Sequence, residues 1–268
     1  MPLHRFGTQV VKQVITYYHE VMQIPSHSES TPTADSITSV YHQISTRRTI
    51  RDFSDRPIDP ELLRRIAAAA GDAPSSVGIQ PYEVHLITNP ELRDQLALAC
   101  NGQRAARSAQ ALVVFVVGVS IIRRRIEESR TYYQSAPLPE KSRQYHLSGL
   151  DRLSLALNPW LLPFLGVARS ILAVLQPSRS LLPLGHEGAK NWAARASMLA
   201  AQTMLFSASA HGVDACPMEG FNGAQVAQAL CLPRGTAPTL VVALGYRAED
   251  ARIEPRYRRT ADQMITTH

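Results

Sequence analysis

The sequence predicts a layered fold of the α/β or α+β class, built around one large domain. Three observations carry that prediction. Stretches with helical spacing of apolar residues alternate with short β-branched runs along most of the 268 residues. One of those runs, 111–119, is apolar throughout, as a strand buried on both faces must be. Apolar residues make up 45% of the chain and charged residues 19%, the balance of an ordinary globular protein rather than a disordered one.

The elements follow in order. Val10, Val14, Tyr17, Tyr18 and Val21 fall roughly on one face of a short helix within residues 1–24, and residues 25–35 are a linker rich in Pro, Ser and Thr. A helix starts at Asp35 or Ser36, with Ile37, Val40, Tyr41 and Ile44 at helical spacing. Asp59-Pro60-Glu61 is an N-cap with proline at the first helical position, and Leu62, Leu63, Ile66 and Ala70 form the buried face. Gly71-Asp72-Ala73-Pro74 stops that helix. A strand at 82–88 follows, then a helix opened by Asn89-Pro90-Glu91, then the central strand.

Residues 123–190 are the irregular part. They begin as a charged helix at Arg123-Arg124-Arg125, then carry prolines at 137 and 139, then an apolar run at 155–175 interrupted at Asn158-Pro159 and Pro163. A long alanine-rich helix occupies 191–211, with almost no charge after Arg195, which predicts burial on all sides in a core or a subunit interface. A short helix at 225–230 and a last strand at 239–245 lead to a basic tail.

Net charge is +6, carried almost wholly by arginine, which suits bidentate phosphate recognition. No basic block with interleaved aromatics points to nucleic acid. Cys100, Cys216 and Cys231 have neither CxxC spacing nor partner histidines, so no metal site is expected and a reducing cytoplasm is. No signal-peptide pattern and no transmembrane run is recognised. GxGxxG after a first strand and GxxxxGKS/T are absent, which leaves a Rossmann site and a P-loop without support. His85, His146, His186 and His211 are scattered, and no nucleophile–base pair stands out.

Four segments remain: Arg47-Arg48-Thr49-Ile50-Arg51; Ala73-Pro74-Ser75-Ser76 with Gln80-Pro81-Tyr82; Cys216-Pro217-Met218-Glu219-Gly220-Phe221; and Arg256-Tyr257-Arg258-Arg259. Taken singly they are a basic helix end, two turns and a frayed basic tail. Arg47 and Arg51 share a face if the first segment is helical; Arg47, Thr49 and Arg51 share one if it is extended. In this order and at these separations the four segments resemble the nitroreductase family of flavin enzymes.

The resemblance covers residues 36–122 and 191–262, and implies an α+β fold with a central, mostly antiparallel sheet flanked by helices. It implies an intertwined homodimer with FMN at the subunit interface. By that match Arg47, Arg48 and Thr49 bind the FMN phosphate and ribityl chain, and Arg51 lies near the pyrimidine edge, where a fixed cation stabilises charge on reduction. Pro74, Ser75 and Ser76 reach FMN from the opposite subunit; Gly78 stands where the family usually has Asn, and Tyr82 where it has Trp. Pro217, Met218, Glu219 and Gly220 lie along the ring, with the Glu219–Gly220 backbone N–H aimed at flavin N5. Arg256 and Arg258 close over the phosphate, and Asn101 and Arg104 are further candidates.

The domain division implied is an extension at 1–34 and an FMN-binding domain at 35–262 with an insertion at 123–190. The activity implied is hydride transfer from NADH or NADPH through FMN to a nitroaromatic, quinone or similar small aromatic acceptor, with ping-pong kinetics. Dehalogenation, flavin fragmentation and non-enzymatic flavin binding are the alternatives. Tyr132, Tyr133, Tyr145, Trp160 and Phe164 are candidates to roof the flavin. The plainer use of the 155–175 run is packing on the partner subunit. A third is an interfacial membrane patch of Trp160, Leu161, Leu162, Phe164 and Leu165, with Arg169 and Arg179 at the headgroups.

Overall fold

The computed structural model describes residues 34–158, 160–175 and 185–268; the helix expected within 1–24 and the linker lie outside them. The chain divides into two units, Met1–Thr46 and Arg47–His268. In the first, helix α1 (Ala34–Thr46) contains the predicted Ile37/Val40/Tyr41/Ile44 series.

The second unit is an α+β layer structure. Helix α2 (Pro60–Ala68) starts where expected: the Asp59 side chain accepts from Leu62 N, and Leu63 and Ile66 are buried. Strand β1 (Glu83–Ile87) and helix α3 (Pro90–Ala99) follow, the latter capped by Asn89 in the same way. A five-residue helix α4 (Arg104–Ser108) precedes strand β2 (Ala111–Gly118), which is buried at every position. After helices α5 (Val119–Ser135), α6 (Glu140–Ala156), α7 (Leu162–Leu175) and α8 (Gly185–Ala210) come strand β3 (Asp214–Met218), helix α9 (Gly223–Ala229) and strand β4 (Thr236–Gly245).

The four strands form one antiparallel sheet in the order β1-β2-β4-β3. Alternation along β2 splits the core in two. Val113, Phe115 and Val117 face a cluster that includes Ala193, Ala200 and Met204 of α8. Leu112, Val114 and Val116 face a second cluster with Leu96 of α3 and Val226 of α9. A strand covered on both sides has no polar face, hence its unbroken apolar run.

Two regions differ from expectation. Residues 119–175 are mostly helical, because the prolines lie at boundaries: Pro137 and Pro139 between α5 and α6, and Pro163 in the first turn of α7, where no backbone donor is lost. Arg143 ties the end of α5 to the start of α6 by donating to the carbonyls of Tyr133, Gln134, Ala136 and Leu138. Within one protomer helix α8 is buried on one side, so only a subunit interface, the second of the two expected settings, could cover the other. Ala189, Ala193, Ala196, Ala200, Met204 and Ala208 meet the sheet, whereas Asn191, Arg195 and Leu199 are exposed.

Candidate functional site

The arginine segment is extended. It leaves the helical path after Thr46, Thr49 forms a parallel bridge with Ala215 of β3, and Ile50 N donates to Ala215 O at 3.3 Å. Burial drives this: Ile50 is fully covered, and Phe53, three residues on, is buried beside Arg247 and Ser108. The segment is thereby laid along the free edge of β3.

That placement creates a pocket of about 210 Å³ lined by Arg47, Arg48, Thr49 and Arg51 from the segment and by residues 253–256 and Arg258 from the tail. Two of the four segments therefore meet, although about 200 residues separate them in sequence. Arg47 Nη1 is buried there without a hydrogen-bond partner among the described residues. Burial pushes the Arg47 pKa down, and the Arg258 and Arg256 charges push it further. Arginine keeps its proton regardless, so the shift reports an unfavourable field that an anion would relieve. A buried guanidinium with an open donor, beside further arginines and a hydroxyl, fits a phosphate monoester; the one acid in the lining, Glu254, is paired with Arg252.

The third segment ends β3 beside that pocket. Burial raises the Cys216 pKa, and Arg51 partly opposes this, so the Arg51 charge reaches the strand that carries Pro217 and Met218. Beyond the strand, Glu219 and Gly220 are exposed. The Gly220 carbonyl accepts from two side-chain amides, Asn101 Nδ2 at 3.0 Å and Gln103 Nε2 at 2.7 Å. Asn222 N donates to Ala99 O at 2.7 Å and ties the same two loops together. Asn101 and Gly102 both have positive φ, 57° and 63°, and this left-handed turn points both amides at one oxygen. The Gly220 N–H has no acceptor among the described residues. A Cβ on Gly220 would meet only Gln103 Nε2, at an ordinary 3.5 Å, so contacts within the protomer do not require glycine there.

Gln103 is a residue that sequence reasoning missed. Its signal was faint: an amide two residues after Asn101 across a glycine. Arg104 is placed elsewhere. It pairs with Asp52 at 3.2 Å and lines a second pocket, about 420 Å³, with Arg107, Asp250 and Arg252.

The Pro74–Gly78 segment stands apart from these groups. It forms a tight turn before β1, in which Ser75 Oγ accepts from Gln80 N at 2.9 Å and Val77 and Gly78 both have positive φ. β1 and β3 are opposite edges of the sheet, about 14 Å apart at the usual strand spacing. A Cβ on Gly78 would lie 3.0 Å from the Tyr133 hydroxyl, which gives the missing asparagine a steric reason. Tyr82 donates its hydroxyl to Ala70 O at 2.8 Å and is buried. Tyr133 stacks on His146 with centroids 4.1 Å apart, so α5 and α6 brace this turn.

The sequence profile described as "Nitroreductase family" matches residues 44–246. The chain belongs to the nitroreductase family. The family is enzymatic and FMN-dependent. A Thermus thermophilus protein named NADH dehydrogenase is 26% identical over 219 residues, covering 82% of this chain and 91% of that protein. In fold, the Bacillus subtilis protein YdfN superposes with a TM-score of 0.67 at 18% identity, over 87% of this chain and all of its own. An Exiguobacterium sibiricum protein solved in complex with FMN superposes with a TM-score of 0.59 at 20% identity, over 89% of this chain and 100% of its own.

Proposed function

We propose that this nitroreductase-family enzyme takes a hydride from NADH or NADPH and passes it to a nitroaromatic, quinone or similar small acceptor, the two substrates using one site in turn. The observation that carries the reading is the arginine pocket, with its buried, open Arg47 donor between the extended segment and the tail. FMN would supply the chemistry when bound, taking up and releasing two electrons as a hydride.

The protein's own residues bind, orient and tune. Arg47, Arg48, Thr49, Arg256 and Arg258 hold the phosphate end. Arg51 holds a permanent positive charge beside β3, where it stabilises negative charge that develops on reduction. The Gly220 N–H is offered to the ring, and Asn101 and Gln103 grip the carbonyl of the next peptide, Gly220–Phe221, which limits how far the Gly220 backbone can turn. The Pro74–Gly78 turn belongs to the partner's site: the opposite sheet edge keeps it away from its own pocket, so two protomers complete each centre.

The test is the visible spectrum. Purified protein is expected to carry or take up FMN, to bleach anaerobically with NADH or NADPH, and to regain colour with a quinone or nitroaromatic. Protein that takes up no FMN at micromolar concentrations contradicts the reading.

The clamp makes a narrower prediction. Gln103→Met keeps volume but removes the 2.7 Å donor. FMN occupancy should hold, while single-turnover hydride transfer slows about fivefold, the equivalent of about 1 kcal/mol for a neutral hydrogen bond. An unchanged stopped-flow rate would remove Gln103 from the mechanism.

A further inference from the structure

The foot of the Pro74–Gly78 turn is anchored by its own stretch of chain. Ile79 is buried, Ser75 Oγ accepts from Gln80 N, and the Gln80 side-chain amide donates to Gly71 O. The tip has no such anchor in its own sequence. Val77 and Gly78 are consecutive left-handed residues, with φ of 57° and 70°. Glycine takes that conformation freely, whereas a β-branched side chain resists it. Something beyond the turn must hold Val77 there.

Two helices do so. Tyr133 reaches the tip from α5. Its hydroxyl lies against Gly78 and donates to Val77 O at 3.4 Å, and its ring is held on the His146 ring of α6, 7° from coplanar. Gly149 meets the tip from α6. A Cβ there would lie 3.0 and 3.3 Å from the two Val77 methyls, so glycine is what lets the helix come this close. Val77, Tyr133 and Leu147 all pack against the larger core cluster, and that burial offsets the strained backbone. Ser76 is exposed at the tip and moves with whatever conformation Val77 takes.

We propose that Tyr133 and Gly149 are positioning residues for the flavin centre. They hold the Val77–Gly78 pair left-handed and so fix where Pro74, Ser75 and Ser76 meet the partner's FMN. The proposal rests on the reading that this turn completes the partner's site. It gives the 123–190 insertion a part in that centre through a contact with the turn alone.

The test is a double-mutant cycle read as FMN affinity by calorimetric titration of the full-length protein. Gly149→Ala adds one methyl against Val77. Affinity should fall about fivefold or more, as crowding pushes the tip aside. The melting temperature of the FMN-free protein should stay close to wild type, because alanine favours the helix that the added crowding opposes. In a Val77→Ala background both crowding methyls are gone, so the same Gly149→Ala change should alter affinity by less than about twofold. Val77→Gly leaves α6 untouched and frees the tip, and it too should weaken FMN binding.

Gly149→Ala protein that binds FMN as the wild type does would overturn the proposal. So would an equal loss in both backgrounds, which would show that the effect does not pass through Val77. Should Gly149→Ala fail to fold, wild-type affinity in Val77→Gly would overturn it instead. In each of these cases wild-type protein still binds FMN, and the flavin reading stands. Wild-type protein that takes up no FMN would remove both.

Discussion

Arg47→Ala should weaken FMN binding by about tenfold to a hundredfold, the range for a lost charged hydrogen bond of about 1.5–3 kcal/mol. It should do so without lowering the melting temperature of the FMN-free protein. The two halves of this result have one cause. Without an anion, Arg47 is a half-buried cation with an open donor, in a field raised by Arg258 and Arg256. Removing it relieves desolvation and like-charge repulsion in the folded state, so the protein alone loses nothing and stands to gain. With the phosphate in place the same guanidinium becomes its buried partner, and its loss is felt in full. Calorimetric FMN titration and thermal melts of stripped protein measure the two halves separately. A variant that melts lower and binds FMN normally would make Arg47 a structural residue.

Gly245→Ala should act on both quantities together. A Cβ there would sit 2.6 Å from Cγ and Cδ1 of Phe53, closer than real contacts allow. Phe53 cannot simply turn away, because it is buried, bridged to Arg247 and held through its N–H by Ser108 Oγ at 3.1 Å. Overpacking of this kind costs about 1–3 kcal/mol, several degrees in melting temperature for a domain of this size. The displaced ring carries the arginine segment with it, since Ile50 and Phe53 are what press that segment onto β3 and β4. FMN affinity should fall in step with stability. A variant that melts at the wild-type temperature would show that the Phe53–Gly245 contact does not set the position of the segment.

The parts of the site that were legible beforehand are those whose side chains declare a job. Taken singly, the two basic segments that hold Arg47, Arg48, Thr49 and Arg51 and Arg256 and Arg258 suit a helix end and a frayed tail; the order and separations of all four segments are what resemble one family. Their conformation was not legible. A spacing of four between Arg47 and Arg51 suits a helix, and an alternation through Thr49 suits a strand; the burial of Ile50 against Ala215 chose the second, a contact across 165 positions of sequence. Gln103 was missed for the same reason, because its partner is a backbone carbonyl 117 residues away, and carbonyls leave no mark in a sequence.

Gly78 was visible as a departure from the family pattern, but the neighbour that crowds it, the Tyr133 hydroxyl on the charged helix expected from Arg123, is distant in sequence, and its positive φ is a backbone property that the sequence does not state. A proline between helices and a proline inside one look alike until the boundaries are known. The buried central strand was plain from the start, since a strand covered on both faces has only one composition available to it; its antiparallel pairing was implied only by the family resemblance.

The central claim is that the arginine pocket exists to hold the phosphate end of FMN. Comparing FMN with riboflavin, which lacks that phosphate, on wild-type and Arg47→Ala protein tests it most directly. Wild-type protein should prefer FMN by at least about tenfold, and the preference should collapse in the variant because its affinity for riboflavin is unchanged. Equal binding of the two flavins by the wild type, or a preference that survives the loss of Arg47, would contradict it.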